Sequence, residues 1–324
     1  MDYEQTSELV PSPIQTPLTR RRFQSLMLGG ALMGIGPQSV QARSAATKRM
    51  IVDSQIHIWK PDTVDRPWVK GSNAQLPEPM TVERLLPIMD EAGVDRVIVV
   101  PPSLEGIRFD YGQEAARQYP SRFATMSRVN LNESAEKKRV TLMRTEPYLL
   151  GARFYFQPSI AHWLLDGTAD WFWSLAESIK LPVMFLTIKQ TPIFAKIAER
   201  HPQLPLIIDH LGVTMESVKD GSVTERISEA VSLAKYPNVS VKLSSSPLYS
   251  IQSYPWRDMD DHIRRLFDAY GPQRCHWGTD LTNSFNRGSM KQRIEHFTQE
   301  LHFLSEDDKD WIMGRSIMEK LSWI

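Results

Sequence analysis

Cysteine is almost missing from this chain. Cys275 is the only one in 324 residues, so a single chain can build neither a disulfide framework nor a thiolate zinc cluster. An excess of charge is missing too, because 38 basic side chains balance 38 acidic ones. That removes the electrostatic footprint of a protein whose main partner is nucleic acid or an anionic membrane surface. No apolar run approaches the ~20 residues needed to span a bilayer. The first β-like run is followed by no Gly-x-Gly-x-x-Gly turn, which argues against an open dinucleotide-binding sheet. What remains is a chain with 41% apolar residues, enough for a sizeable core in one large domain or two modest ones.

The first 48 residues differ in texture from the rest. Residues 1–18 are polar, carry Pro11, Pro13 and Pro17, and read as disordered. Thr19-Arg20-Arg21-Arg22-Phe23-Gln24 comes next, then a weakly apolar, glycine-dotted run from Ser25 to Ile35, then Ala42 and Ala45 as small residues for cleavage. This order resembles a twin-arginine export signal, although the usual Leu-Lys after Phe23 is absent. The expectation is a leader over 1–48 that engages the twin-arginine export machinery and sends a folded enzyme to the periplasm. A basic disordered leader on a cytoplasmic protein is the alternative.

From residue 50 the texture changes. Ile51, Val52, Ile56 and Ile58 surround Asp53, Gln55 and His57, which recur at every second position. Strand side chains alternate between faces, so the three polar groups are expected to point one way. A buried polar group without a partner costs roughly 1–3 kcal/mol, so such a row is expected to build a site rather than fill a core. Further β-branched runs follow at 96–100, 123–127, 151–156, 182–186, 206–210, 239–243 and 274–278. Between them lie amphipathic stretches at about 81–91, 111–118, 133–146, 169–180, 191–200, 223–235 and 258–270, with two closing helices at about 288–301 and 306–321. Strands alternating with helices imply parallel pairing through right-handed crossovers. Eight units in about 275 residues is the size of a (β/α)₈ TIM barrel, here a single domain over 49–324.

Reactive groups in such barrels sit at the C-terminal ends of the strands. Those ends carry His57, then Asp209-His210, then Asp280, with Arg153 and Tyr155 on one face of the fourth strand and Lys242 and Ser244 on one face of the seventh. Each has a plainer reading. Asp280 is a ready helix cap, Arg153 a ready ion-pair partner for Asp53 or Asp209, and His276 lies deep enough to be a packing residue. His162, His201, His262, His296 and His302 read as solvated. Trp163, Trp171 and Trp173 read as helix–barrel packing, with one of them a candidate for the pocket wall. The loops 59–80, with Trp59 and Trp68, and 245–257, with Tyr249, Tyr254 and Trp256, are the expected roof of the site.

Five segments stand in order along the chain: the strand-one row, Gly151-Ala152-Arg153-Phe154, Ile208-Asp209-His210-Leu211-Gly212, Asn238 to Ser244, and Trp277-Gly278-Thr279-Asp280; a closing Ile312-Met313-Gly314-Arg315 follows. Together they resemble the amidohydrolase-related family, which includes pyrone and sugar lactonases and decarboxylases of the aminocarboxymuconate-semialdehyde type. Metal-binding members of that family carry His-x-His after strand one and a further histidine after strand five. Here Gln55 replaces the first histidine, and Met184-Phe185-Leu186-Thr187 offers no other. A neutral amide is a poor zinc ligand, so no tightly bound metal is expected; a bound Zn²⁺ or Mn²⁺ would rest on His57, His210 and Asp280.

The resemblance implies a hydrolase of a lactone or related cyclic ester. Asp280 would activate water, while His57 and His210, helped by Gln55, polarise the carbonyl. Arg153, Tyr155, Trp59 and Tyr249 would contact the substrate, with Arg153 gripping a carboxylate. The absence of another arginine in Gln157-Pro158-Ser159 argues against a dicarboxylate. A divalent-metal decarboxylase of a small aromatic or muconate-like acid is the second reading, and a catalytically inactive ligand-binding barrel is the third. The partner expected is a small molecule; oligomeric state, self-association included, stays open.

Overall fold

The computed structural model of the chain describes residues 48–323, so the expected leader and its export pattern lie outside the described residues. Its strands are β1 Val52–Ile56, β2 Arg96–Val99, β3 Phe123–Ser127, β4 Leu149–Phe156, β5 Val183–Thr187, β6 Leu206–Ile208, β7 Val239–Ser244 and β8 Cys275–Gly278. Each pairs in parallel with the next, in chain order from β1 to β8. Helices fill the connections, and the result is the expected (β/α)₈ architecture, a nearly closed barrel. Among the described residues no helix is long and apolar enough to cross a membrane.

The seam between β1 and β8 is held by individual contacts rather than a ladder. Ser54 Oγ donates to the Trp277 carbonyl at 2.6 Å, and the Asp280 N–H donates to the Gln55 carbonyl at 2.9 Å. The Asp53 carboxylate accepts the Thr279 N–H at 2.8 Å and the Thr279 hydroxyl. Asp53 therefore closes the barrel and does not join the catalytic row. The reason is a register shift between Asp53 and Ile56 against β2. One extra residue reverses the alternation, so Asp53 faces out with Val97 while Gln55 and His57 face the interior. Period-two reading of β1 cannot see that bulge.

Helix ends follow their sequence signals. The helix Val82–Ala92 begins where the Thr81 side chain accepts the Arg84 N–H and stops at Gly93, whose φ of 78° only glycine adopts without cost. Its buried face is Val82, Leu85 and Met89, at helical spacing. The two closing segments are not plain helices. Met290–Glu295 runs into a π-helical turn over His296–Glu300, and a second π turn over Trp311–Arg315 separates Glu306–Asp310 from Ser316–Leu321. Gly314 lies in that second turn, where a β-carbon would stand 2.5 Å from the Met50 carbonyl oxygen. The closing Met-Gly-Arg segment is thus the place where the chain end packs on the entrance to β1.

The N-terminal end of the barrel is sealed. Val52, Ile98, Ala124, Met126, Met184 and Ile207 from the strands, with Val100 just after β2, meet Ile317 and Leu321 of the last helix and Trp323 beyond it in one buried cluster. His276 Nδ1 sits 2.7 Å from Ser316 Oγ just above it, the packing role expected of it. His296, expected to be solvated, is buried against Asp260 at 2.9 Å, because the π turn carries it inward. His201, likewise expected in solvent, is half-buried and paired with Glu177 at 2.9 Å.

Candidate active site

The opposite end of the barrel holds a cavity of about 210 Å³, with His57, Arg153, Tyr155, His210, Tyr249 and Asp280 in its wall. Asp280 is at its centre. Its Oδ1 lies 3.2 Å from His57 Nε2 and accepts the Asn283 amide N–H at 2.8 Å. Its Oδ2 accepts the Ser245 hydroxyl at 2.8 Å. Ser245 Oγ is in turn 2.6 Å from His210 Nδ1, and Ser244 Oγ is 3.0 Å from the same nitrogen. Asp280 begins a short 3₁₀ stretch, yet its side chain makes no capping hydrogen bond there.

The partners assign the protons. A carbonyl only accepts, so His57 Nδ1, 2.6 Å from the Val100 carbonyl, carries a hydrogen, and its Nε2 faces the carboxylate. A carboxylate only accepts, so Ser245 donates to Asp280 and receives from His210 Nδ1–H. Burial pushes His210 down to about 4, which leaves it neutral at pH 7 with its Nε2 as a lone pair. Burial alone would raise Asp280, but His210, His57 and the Ser245 hydroxyl outweigh it and hold the carboxyl well below its usual range.

The backbone here is strained. His210, Leu211, Ser245 and Asp280 have φ of 54°, 60°, 70° and 49°, a left-handed conformation that costs a non-glycine residue about 1–2 kcal/mol. Side chains from three separate strand ends are aimed into one chain of hydrogen bonds by it. Strain of this kind collects at functional sites.

Below the cavity floor lies a second polar layer. Asp209 is fully buried between Arg153 Nε at 3.0 Å and Lys242 Nζ at 3.0 Å. Burial opposes its ionisation, but Lys242 and Arg153 outweigh that and keep its carboxyl below the usual range. The Lys242 ammonium also donates to Gln55 Oε1 at 2.7 Å. Arg153 therefore fills both of its sequence readings, as ion-pair partner of Asp209 and as cavity wall.

Two of the expected site residues do not reach the cavity. Gln55 sits beneath it, its oxygen on Lys242 and its Nε2 without a partner among the described residues. Trp59 is buried in the outer core, because the turn after β1 carries it away from the barrel axis. Loop 59–80 contributes Gln75 to the wall instead. The residues that sequence reading missed are Ser245, Asn283 and Arg128. Arg128 follows the end of β3 by one residue, which was a usable signal; Ser245 and Asn283 carried none. Arg128 donates to the Pro101 carbonyl through Nε at 3.2 Å and Nη2 at 2.6 Å. Burial and the neighbouring Arg153 pull it down to about 9, still charged at neutral pH.

The donor set fits a metal poorly. Both Asp280 oxygens are occupied by protein donors, and His210 presents Nδ1 to Asp280 at 3.8 Å with Ser245 between them. Gln55, where metal-binding relatives are expected to have histidine, turns its oxygen to a fixed ammonium. No group of three or more His, Cys, Asp or Glu side chains among the described residues is arranged to hold an ion.

Known proteins match this architecture. The chain is 25% identical over 240 residues to the L-fucono-1,5-lactonase of Burkholderia ambifaria, covering 71% of this chain and 79% of that one. A crystal structure of an amidohydrolase from Burkholderia multivorans with bound zinc superposes with a TM-score of 0.72 at 19% identity, over 84% of this chain and 99% of that one. A probable 2-pyrone-4,6-dicarboxylic acid hydrolase from Acinetobacter baumannii, with citric acid bound, gives 0.66 at 16% identity, over 84% and 99%. The amidohydrolase family model matches residues 52–316, nearly the whole described barrel, and the chain belongs to the amidohydrolase family.

Proposed function

We propose that this enzyme, a lactonase-like hydrolase, opens a cyclic ester without a tightly bound metal. One observation carries the reading: the Asp280 carboxylate lies 3.2 Å from one imidazole and one serine hydroxyl away from another, in the wall of the cavity. In the reaction, a water oxygen adds to the ring carbonyl while its proton passes to Asp280. The ring C–O bond then breaks, the ring oxygen takes that same proton back from the Asp280–His57 pair and leaves as an alcohol, and the product is a hydroxy acid. A carboxylate held this low is a weak base alone. His57, whose Nε2 lies 3.2 Å away, can take that proton on from Asp280, and the imidazolium so formed faces the oxyanion as a cationic donor. The hydrogen bonds at Nδ1 support a different part for His210 from the carbonyl-polarising one: its Nε2 lone pair accepts a hydrogen bond from the attacking water and so orients it.

The lactonase relative supports the reaction class, and the donor geometry supports the absence of a tightly held metal. The export pattern at Thr19–Phe23 supports a periplasmic location, testable by fusing residues 1–48 to a reporter that is active only after export. The catalytic reading is tested with a panel of five- and six-membered lactones and a pH-indicator readout. Expected are acid release from at least one lactone, no loss after chelation, and substoichiometric metal by elemental analysis. One zinc or manganese per chain, with activity lost on its removal, would favour the decarboxylase reading. Silence on every lactone, ester and acid would favour an inactive binding barrel.

A further inference from the structure

A second cavity, of about 380 Å³, adjoins the first and shares Ser103, Arg128, Arg153 and Tyr155 with it. The two chambers differ in character. The second is walled by Val69, Ile107, Val129, Ile160 and Trp163, and its rim includes Val69 and Ile107 at 48% and 60% exposure. Apolar side chains left in water beside a polar site mark the place where a ligand covers them. The junction is cationic. Arg153 is ion-paired at 3.0 Å with Asp209, a carboxylate it shares with Lys242, whereas Arg128 bonds only to the Pro101 carbonyl and, at 3.5 Å, to Ser103 Oγ. No carboxylate among the described residues forms an ion pair with Arg128, and Asp209 acts on it only at longer range, so the guanidinium at the neck has no direct counter-ion.

We infer that the site takes a two-part anionic substrate, whose cyclic ester lies against Asp280, whose carboxylate is held by Arg128 at the neck, and whose apolar arm fills the second chamber. Assigning the ester to the first chamber rests on the lactonase reading; the neck and the arm rest on the cavity alone. The carboxylate grip passes to Arg128 because a guanidinium already bonded to Asp209 has less charge to offer than one bonded only to a carbonyl.

The test is a binding titration with three probes that contain no ester: 3-phenylpropanoate, propanoate and 3-phenylpropan-1-ol. The wild-type enzyme should hold 3-phenylpropanoate about tenfold or more tighter than either of the others, as a charged hydrogen bond and a buried ring each predict. Arg128→Met should erase the preference of acid over alcohol, with Arg128→Lys keeping part of it. Trp163→Ala should erase the preference for the ring. Ile107→Asn, at an exposed rim position, should weaken the ring preference without disturbing the core. Equal binding of acid and alcohol, or of probes with and without the ring, would overturn the inference. Asp280→Asn should keep both preferences, of acid over alcohol and of ring over no ring, so the two readings fail separately. Lactone turnover with no probe preference removes the second chamber, and probe preference with no turnover removes the catalytic assignment.

Discussion

The two ends of this barrel are made by the same eight strands and solve opposite problems. At the N-terminal end Val52, Met126 and Ile207 pack against Ile317 and Leu321 with no exposure above 1%. At the C-terminal end the interior positions are His57, Arg153, Ser244 and their neighbours, each bonded to another polar group and several on left-handed backbone. One end carries stability and the other carries strain. The difference shows where substitutions should cost folding and where they should cost only chemistry.

The sharpest break of that contrast is at the floor. Ile317→Ala removes a fully buried side chain and should lower unfolding free energy by about 2–5 kcal/mol, measured by denaturant titration, while kcat/KM per folded molecule stays the same. A large loss of activity at full folding would mean the ends are coupled. At the mouth, Ser245→Ala cuts the link between His210 and Asp280. It should reduce kcat/KM by roughly 10- to 100-fold, the worth of a charged hydrogen bond. Ser245→Gly should be equally slow yet more stable than the alanine variant by about 1–2 kcal/mol, because φ there is 70° and glycine adopts it freely. Equal stabilities would remove strain from the account of the mouth.

Protonation should treat the two ends alike. Burial depresses His210 from 6.5 to about 4 and His276 well below 6.5. Between pH 6.5 and 4 the unfolded chain therefore binds more protons than the folded one, and unfolding free energy falls as pH falls. The stability present above pH 6.5 is lost on acidification, and His210→Asn and His276→Asn should each flatten that slope. A stability that rises toward pH 4 would contradict the burial of both rings as neutral groups.

Much of this was legible in the sequence, for physical reasons. Strand–helix alternation survives any local irregularity, so the architecture and the strand ends holding His57, His210 and Asp280 could be read from periodicity. Asp53 could not, because one inserted residue in β1 exchanges its faces and no composition marks a bulge. Ser245 stands in a run of three serines, and only the left-handed turn after β7 singles it out. Arg128 was within reach, since it follows the end of β3 by one residue. Trp59 misled because aromatic residues next to a site and aromatic residues in a core look the same in one dimension, whereas Trp163, read mainly as packing, lines the second chamber.

The central claim is that the Asp280 carboxylate takes the proton from the attacking water. It is tested most directly by the single-turnover rate of Asp280→Asn on the best lactone of the panel, with folding checked by circular dichroism. The asparagine keeps the shape and can still accept from Ser245, but it cannot take a proton. The expected result is a native spectrum with the rate reduced by roughly 10²–10⁴; a folded variant within a factor of about three of the wild type, well under the least that a general base supplies, would contradict the claim.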